Sequence, residues 1–223
     1  HPAEILLPFR FSPDFEFTGF QGLASHGAAI GIILAMYFFS KKIMKRPLLW
    51  VLDRVVFTVA CGAIFVRLGN FFNSEIVGHE TTSPFGIKFI RDHFSHRDVV
   101  NATKIPNISD AYHAIATDPK FADLLQQVPT KHPAQLYEAF CYIFVFAILL
   151  YLYWKTHARD KRGFLLGVFL VLLWSVRFVV EFVKERQGGF ENDLGIFTTG
   201  QWLSIPFVFW GLFWIFKVKK VVH

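Results

Sequence analysis

Five stretches of the chain are almost wholly apolar: residues 22–40, 48–68, 135–154, 163–183 and 200–216. Each is about 20 residues long, enough for a helix to cross a hydrocarbon layer ~30 Å thick. The pattern therefore predicts five membrane-spanning helices. Between the second and third runs the chain turns polar over residues 69–131, and 71–131 reads as an arm outside the membrane. Within it, Phe85-Gly-Ile-Lys-Phe89 alternates like a short strand. Residues 109–117 and 118–127 read as two small helices, the second opened by Asp118-Pro119. Residues 1–20 have no clean period; Phe9, Phe11, Phe15, Phe17 and Phe20 suit an interfacial segment anchored at headgroups.

Composition agrees with a membrane protein. The 223 residues are 53% hydrophobic and include 28 phenylalanines, too apolar for an ordinary soluble domain. A formal charge of +6 could point to nucleic acid, but its placement does not. Lys41, Lys42, Lys45 and Arg46 follow the first run, Lys155, Arg159, Lys161 and Arg162 the third, and Lys217, Lys219 and Lys220 the fifth. Such alternation is how topology is written, with basic clusters on the cytoplasmic side. Nucleic acid is thereby excluded as a partner. The arm and the 184–199 loop face outward, the N-terminus is outside and the C-terminus inside. Cys61 and Cys141 lie within separate runs and read as packing residues. The chain begins with His1-Pro2, with no signal peptide before the first run, and reads as part of a longer protein.

This topology places the costly polar side chains. His26 lies about one turn into the first run from outside. Arg67 ends the second run, followed by Asn70, Asn73, Glu75 and Gly78. His132, Gln135, Tyr137 and Glu138 open the third. Arg177 stands about 14 residues above the inner end of the fourth, roughly 21 Å at helical rise. Gln201 and Ser204 open the fifth. All collect in the outer half, where ionisable groups signal function. Asp53-Arg54, near the inner surface, suits an ion pair or headgroup contact. Each residue also has a structural alternative. Arg67 could snorkel to the interface, Arg177 and Glu181 could form an i,i+4 pair, and His26 could be a hydrogen-bonded core histidine. His93 and His96 have helical spacing but no further ligand pattern, so no metal or other cofactor is expected. Two arginines in one outer cavity suit a phosphate.

Arg67-Leu-Gly-Asn-Phe-Phe-Asn-Ser-Glu-Ile-Val-Gly78 resembles the signature of the bacterial prolipoprotein diacylglyceryl transferases. Ser25-His26-Gly27, His132-Pro-Ala-Gln-Leu-Tyr-Glu138, Arg177-Phe-Val-Val-Glu181 and Gly200-Gln-Trp-Leu-Ser-Ile-Pro206 resemble four further motifs, in the family's order. The resemblance spans nearly the whole chain and is weakest over 79–130. It implies an all-α polytopic bundle, with five of the family's seven spans present here, residues 1–223 forming one catalytic domain in the bacterial inner membrane. It also implies the reaction: the lipobox cysteine of a prolipoprotein takes the diacylglyceryl group of phosphatidylglycerol, and glycerol phosphate leaves. On this resemblance His26, Arg67 and Arg177 are the catalytic residues, with His26 either the base or a positioning group. Asn70, Asn73, Glu75, Gly78, Gln135, Tyr137, Glu181, Gln201 and Ser204 join Arg67 in binding substrate. Two positions depart from the family's pattern: Lys184 stands where arginine is common, and Leu173 where tyrosine is common. A transporter or flippase for an anionic lipid or solute is the competing reading. It would also use arginines in a cavity, though no internal repeat supports it.

Overall fold

The computed structural model describes residues 9–10, 16–17, 25–185 and 197–217, and only the backbone of 9–10, 16–17 and 25–30. Most of the expected interfacial segment, the His26 side chain, the Gly188-Gly189 loop and Lys219-Lys220 lie outside the described residues. The chain divides into two compact units, His1–Leu52 and Asp53–His223.

In the first unit, β1 (Phe9–Arg10) pairs antiparallel with β2 (Glu16–Phe17), Phe9 opposite Phe17. The first apolar run forms α1 (Ser25–Phe38), which continues as a π-helical segment over Phe39–Met44. The helix thus runs past Lys41 and Lys42 and stops at left-handed Lys45. Lys42 sits over the Phe38 ring and Arg46 over Trp50, so cationic heads lie against aromatic faces.

Four helices among the described residues are long and apolar enough to cross a membrane. They are α2 (Leu48–Phe72), α7 (Ala134–Lys155), α8 (Phe164–Val180) with its 3-10 extension to Val183, and α9 (Thr199–Phe216). The protein is a multi-pass helical membrane protein. The first run is not among the four, its α-helical part being 14 residues.

In the second unit, Val56 and Ala60 of α2, Tyr142, Val145 and Leu149 of α7, and Leu165, Phe169 and Leu170 of α8 form the buried core. Phe65, Phe140, Phe144 and Phe209 are exposed, as suits a face solvated by lipid rather than water. Helices α8 and α9 approach through paired glycines. A Cβ on Gly167 would stand 2.7 Å from the Gly211 carbonyl oxygen, and one on Gly211 2.7 Å from that of Gly167. Trp174 and Phe207 stack above this crossing at 4.2 Å.

The expectation of an ion pair or headgroup contact for Asp53 needs correcting. Its carboxylate is buried and accepts from the backbone N–H groups of Gly163 (2.6 Å) and Leu166 (2.9 Å). Gly163, in the left-handed region, offers α8 no side-chain cap. Asp53 supplies one from another helix, satisfying donors the first turn cannot bond internally.

The arm has its own small core of Val99, Ala111, Tyr112 and Ile115. The expected helices appear as α5 (Ile108–Thr117) and, after a 3-10 turn capped by Asp118, α6 (Ala122–Gln127). The expected strand shortens to β3 (Ile87–Lys88), paired with β4 (Thr130–Lys131). Two helices were not anticipated, α3 (Ile90–His93) and α4 (His96–Thr103). Their boundary separates His93 from His96, which therefore do not share a helix face. Its signal is the Ser95-x-x-Asp98 capping box, where hydrogen bonds from Ser95 hold the Asp98 carboxyl below its ordinary pKa of 3.8. Lys131 binds Asp92 (2.8 Å) and Glu185 (2.7 Å), joining the arm to the segment after α8. Burial alone would lower the Lys131 pKa; the two carboxylates outweigh it and raise it.

Candidate functional site

The signature begins on a helix and ends on a strand-like crossing. Arg67 and Asn70 occupy the last turns of α2, and the chain then leaves through left-handed Ser74 (φ 58°) and Ile76 (φ 57°). Ile76 is β-branched, so that backbone is strained. Beyond it, Val77-Gly78-His79 passes between two other segments. Gly78 N–H donates to His132 C=O (2.9 Å), His132 N–H to His79 C=O (3.0 Å), His79 N–H to Val183 C=O (2.8 Å) and Glu185 N–H to Val77 C=O (3.2 Å). Only glycine fits at the centre: a Cβ on Gly78 would stand 2.5 Å from the Val183 oxygen and 2.6 Å from the His132 Cβ. The crossing holds the ends of α2, α7 and α8 together.

A buried charge group lies where those ends meet. Glu138 on α7 has no solvent exposure. Its Oε1 accepts from Lys184 Nζ at 2.9 Å. Its Oε2 stands 2.8 Å from Arg67 Nε, an ion pair whose N–H points off the hydrogen-bond line, so that oxygen keeps an unused acceptor. Lys184 also reaches Glu181 Oε2 at 3.3 Å. The Glu181 carboxylate packs against Gly200, leaving no room for a Cβ there. This sets it at the first turn of α9, where the helix dipole favours an anion. Buried Tyr142 lies within electrostatic reach of Glu138, Arg67 and Arg177. Arg177 sits over the Trp174 ring at 5.4 Å, its Nε buried without a hydrogen-bond partner. Gln135 donates through Nε2 to Glu75 C=O at 2.6 Å and leaves its buried Oε1 unbonded. Three cations and two carboxylates thus share a largely dry region that retains several unused polar atoms.

The structure gathers Arg67, Gly78, Gln135 and Glu181 about this group, with Arg177 beside it. The expected Arg177–Glu181 pair is not formed: Glu181 turns to Lys184, and among the described residues Arg177 has no ion pair. Asn73 and Glu75 are exposed and Asn70 half-buried, and none of these three side chains is hydrogen-bonded among the described residues. Tyr137 O–H pairs with His132 Nδ1 at 3.1 Å. Gln201 and Ser204 bond backbone groups at the start of α9, and Gln201 Nε2 also donates to Phe178 C=O of α8 at 3.4 Å. Gln201 completes a capping box with Thr198, and the Ser204 hydroxyl donates to Gly200 C=O. No role had been assigned to Glu138 or Lys184. The signal for Glu138 was its isolation: it is the one carboxylate in the third apolar run. Lys184 lies just past the fourth run, one turn beyond Glu181. Among the described residues, no group of three or more His, Cys, Asp or Glu side chains could hold a metal ion.

Comparison with known proteins assigns this arrangement to a family. The family model for prolipoprotein diacylglyceryl transferase matches residues 10–217. A phosphatidylglycerol–prolipoprotein diacylglyceryl transferase of Chloroherpeton thalassium is 37% identical over 220 residues, covering 99% of this chain and 65% of the relative. Proteins of the same name from Bacteroides fragilis and Porphyromonas gingivalis are 34% and 39% identical, covering 99% and 89% of this chain and 67% and 63% of their own lengths. The chain spans about two thirds of the length of the curated relatives it matches. With the match running through every element that carries the buried charge group, the chain belongs to the prolipoprotein diacylglyceryl transferase family.

Proposed function

We propose that this protein transfers the diacylglyceryl group of phosphatidylglycerol to the lipobox cysteine of a prolipoprotein. The cysteine sulfur forms a thioether bond to the glyceryl carbon. The carbon–oxygen bond to phosphate breaks, and glycerol phosphate departs with the electron pair. A free thiol near pKa 8.5 is mostly protonated at neutral pH, so a base that takes its proton accelerates attack. His26 is the histidine that the sequence offers for that role. The leaving group gains negative charge, and cations in a dry site stabilise it far better than water does.

One observation carries this reading: among the described residues the buried region has three cations against two carboxylates, and Arg177 has neither an ion pair nor a hydrogen-bond partner for Nε. A phosphate in that region completes the charge balance. Arg67, turned off the hydrogen-bond line to Glu138, is the second guanidinium available to it. Asn70, Asn73 and Glu75 on the exit turn bind the glycerol headgroup, and Gln135 and Tyr137 line the entrance of α7. Residues 1–223 act as one catalytic domain in the bacterial inner membrane, with the C-terminus cytoplasmic, the site in the outer half and the 71–131 arm in the periplasm.

The test is mass spectrometry of a lipobox peptide incubated with phosphatidylglycerol and the protein in nanodiscs, either as this chain or extended to the length of its relatives. A diacylglyceryl mass on the cysteine is expected. Folded protein that yields no adduct in either form would sink the reading. Redistribution of lipid between leaflets without adduct would support a lipid transporter instead.

A further inference from the structure

Beside the signature turn, the arm carries an open cleft of about 320 Å3 lined by Ser74, Lys88, Ile90, Arg91, Ser109, Tyr112 and His113. This is within the range of small-molecule sites. Three stretches of chain contribute, at Ser74, at 88–91 and on α5, and among the described residues no carboxylate lines the cleft. A roomier cleft of about 500 Å3 nearby is lined by Glu80, Thr81, Thr82, Pro129 and Thr130, with one carboxylate and no cation.

The cations of the first cleft are held in place. Lys88 Nζ donates to Leu125 C=O at 2.6 Å, which positions the ammonium and leaves two donors. The Arg91 guanidinium lies over the Tyr112 ring at 5.0 Å, and that ring is fixed by its hydroxyl donating to Phe94 C=O at 2.7 Å. Stacking of this kind occupies the guanidinium face and leaves its N–H edge available. Two acids of the arm are engaged elsewhere, Asp92 by Lys131 and Asp98 by Ser95, while Asp110, next to Ser109, has no ion pair among the described residues. Ser109, Tyr112 and His113 share one face of α5, with Ser109 in the first turn. Among the described residues, the Ser74 and Ser109 hydroxyls have no hydrogen-bond partner.

We infer that this cleft is a second anion site, binding a small phosphate-bearing group through Lys88 and Arg91 with Ser74, Ser109 and His113 as further donors. Such a group reaches it either as a free phosphate ester in water or as the headgroup of an anionic phospholipid. The site is separate from the buried charge group and does not depend on the transfer reaction.

The full chain in detergent is titrated calorimetrically with glycerol phosphate. Lipids retained by it are counted by native mass spectrometry with phosphatidylglycerol or phosphatidylcholine. In the Lys88→Gln/Arg91→Gln double variant, glycerol phosphate affinity at one site should fall on the order of tenfold if the ligand is a free ester. Loss of one retained phosphatidylglycerol, with that titration unchanged, identifies the headgroup instead. Ser109→Glu, which sets a negative charge in the cleft, should reproduce either result, and Lys88→Arg/Arg91→Lys should restore wild-type binding. Arg177→Gln reports the buried site separately. If the folded Lys88/Arg91 and Ser109 variants bind both ligands as wild type does, the inference is overturned.

Discussion

Glu138 pairs with two cations away from water; without it Arg67 would lose its ion pair among the described residues and Lys184 would keep only Glu181. Glu138→Gln should therefore destabilise the protein by about 3–5 kcal/mol, read as a lower thermal midpoint in detergent. Arg177 is the opposite case. It has no ion pair to lose among the described residues, so Arg177→Gln should leave the midpoint close to wild type while adduct formation falls about a hundred- to a thousandfold. If both variants unfold alike, Arg177 is a structural residue. Arg67→Ala is the less informative substitution, because it strips Glu138 of a partner as well as the proposed phosphate of a ligand. The sequence made the two arginines legible, since a cation at the end of an apolar run is conspicuous. It did not show which carboxylate each would meet: Glu181 has helical spacing from Arg177 yet turns to Lys184, in the 3-10 turn that ends α8. Nor did it show that Gln201 would cap α9 and bond Phe178 of α8 while Ser204 bonds Gly200, because a capping box and a ligand set use the same residue types.

The four long apolar helices were readable to within about a turn, because twenty apolar residues between polar or basic stretches leave little choice. What escaped was the way one span finishes another. Gly163 cannot cap α8, and the carboxylate that does so is carried by α2. Asp53→Ala would leave two buried N–H groups unbonded and should cost about 2 kcal/mol or more in thermal unfolding. Asp53→Asn, which keeps one acceptor oxygen, should cost less. Equal stability of the alanine variant and wild type would mean that solvent replaces the cap. The arm was harder to read, because α3 and α4 are short and their boundary depends on one Ser-x-x-Asp box rather than on hydrophobic period.

Across the whole molecule, charge placement gives an orientation that can be checked directly. Asp123 on the arm and His157 between α7 and α8 are both exposed. In intact cells Asp123→Cys should react with a membrane-impermeant maleimide, and His157→Cys only after lysis. The reverse pattern would invert the topology and move the buried charge group to the cytoplasmic half. Fold class followed from hydropathy alone. The site did not, because its members come from three helices whose ends are joined by the backbone crossing at Gly78, and no local pattern records a meeting of that kind.

The bond between Asp53 and Gly163 also has a direction in time. Its partners are 110 residues apart. At ribosomal speeds of roughly 5–20 residues per second, the carboxylate emerges on the order of 5–20 s before the amide that will need it. The second apolar run must therefore wait in the bilayer with its acid at the water's edge. The fourth can complete its first turn on arrival, so that insertion order is built into which helix carries the cap.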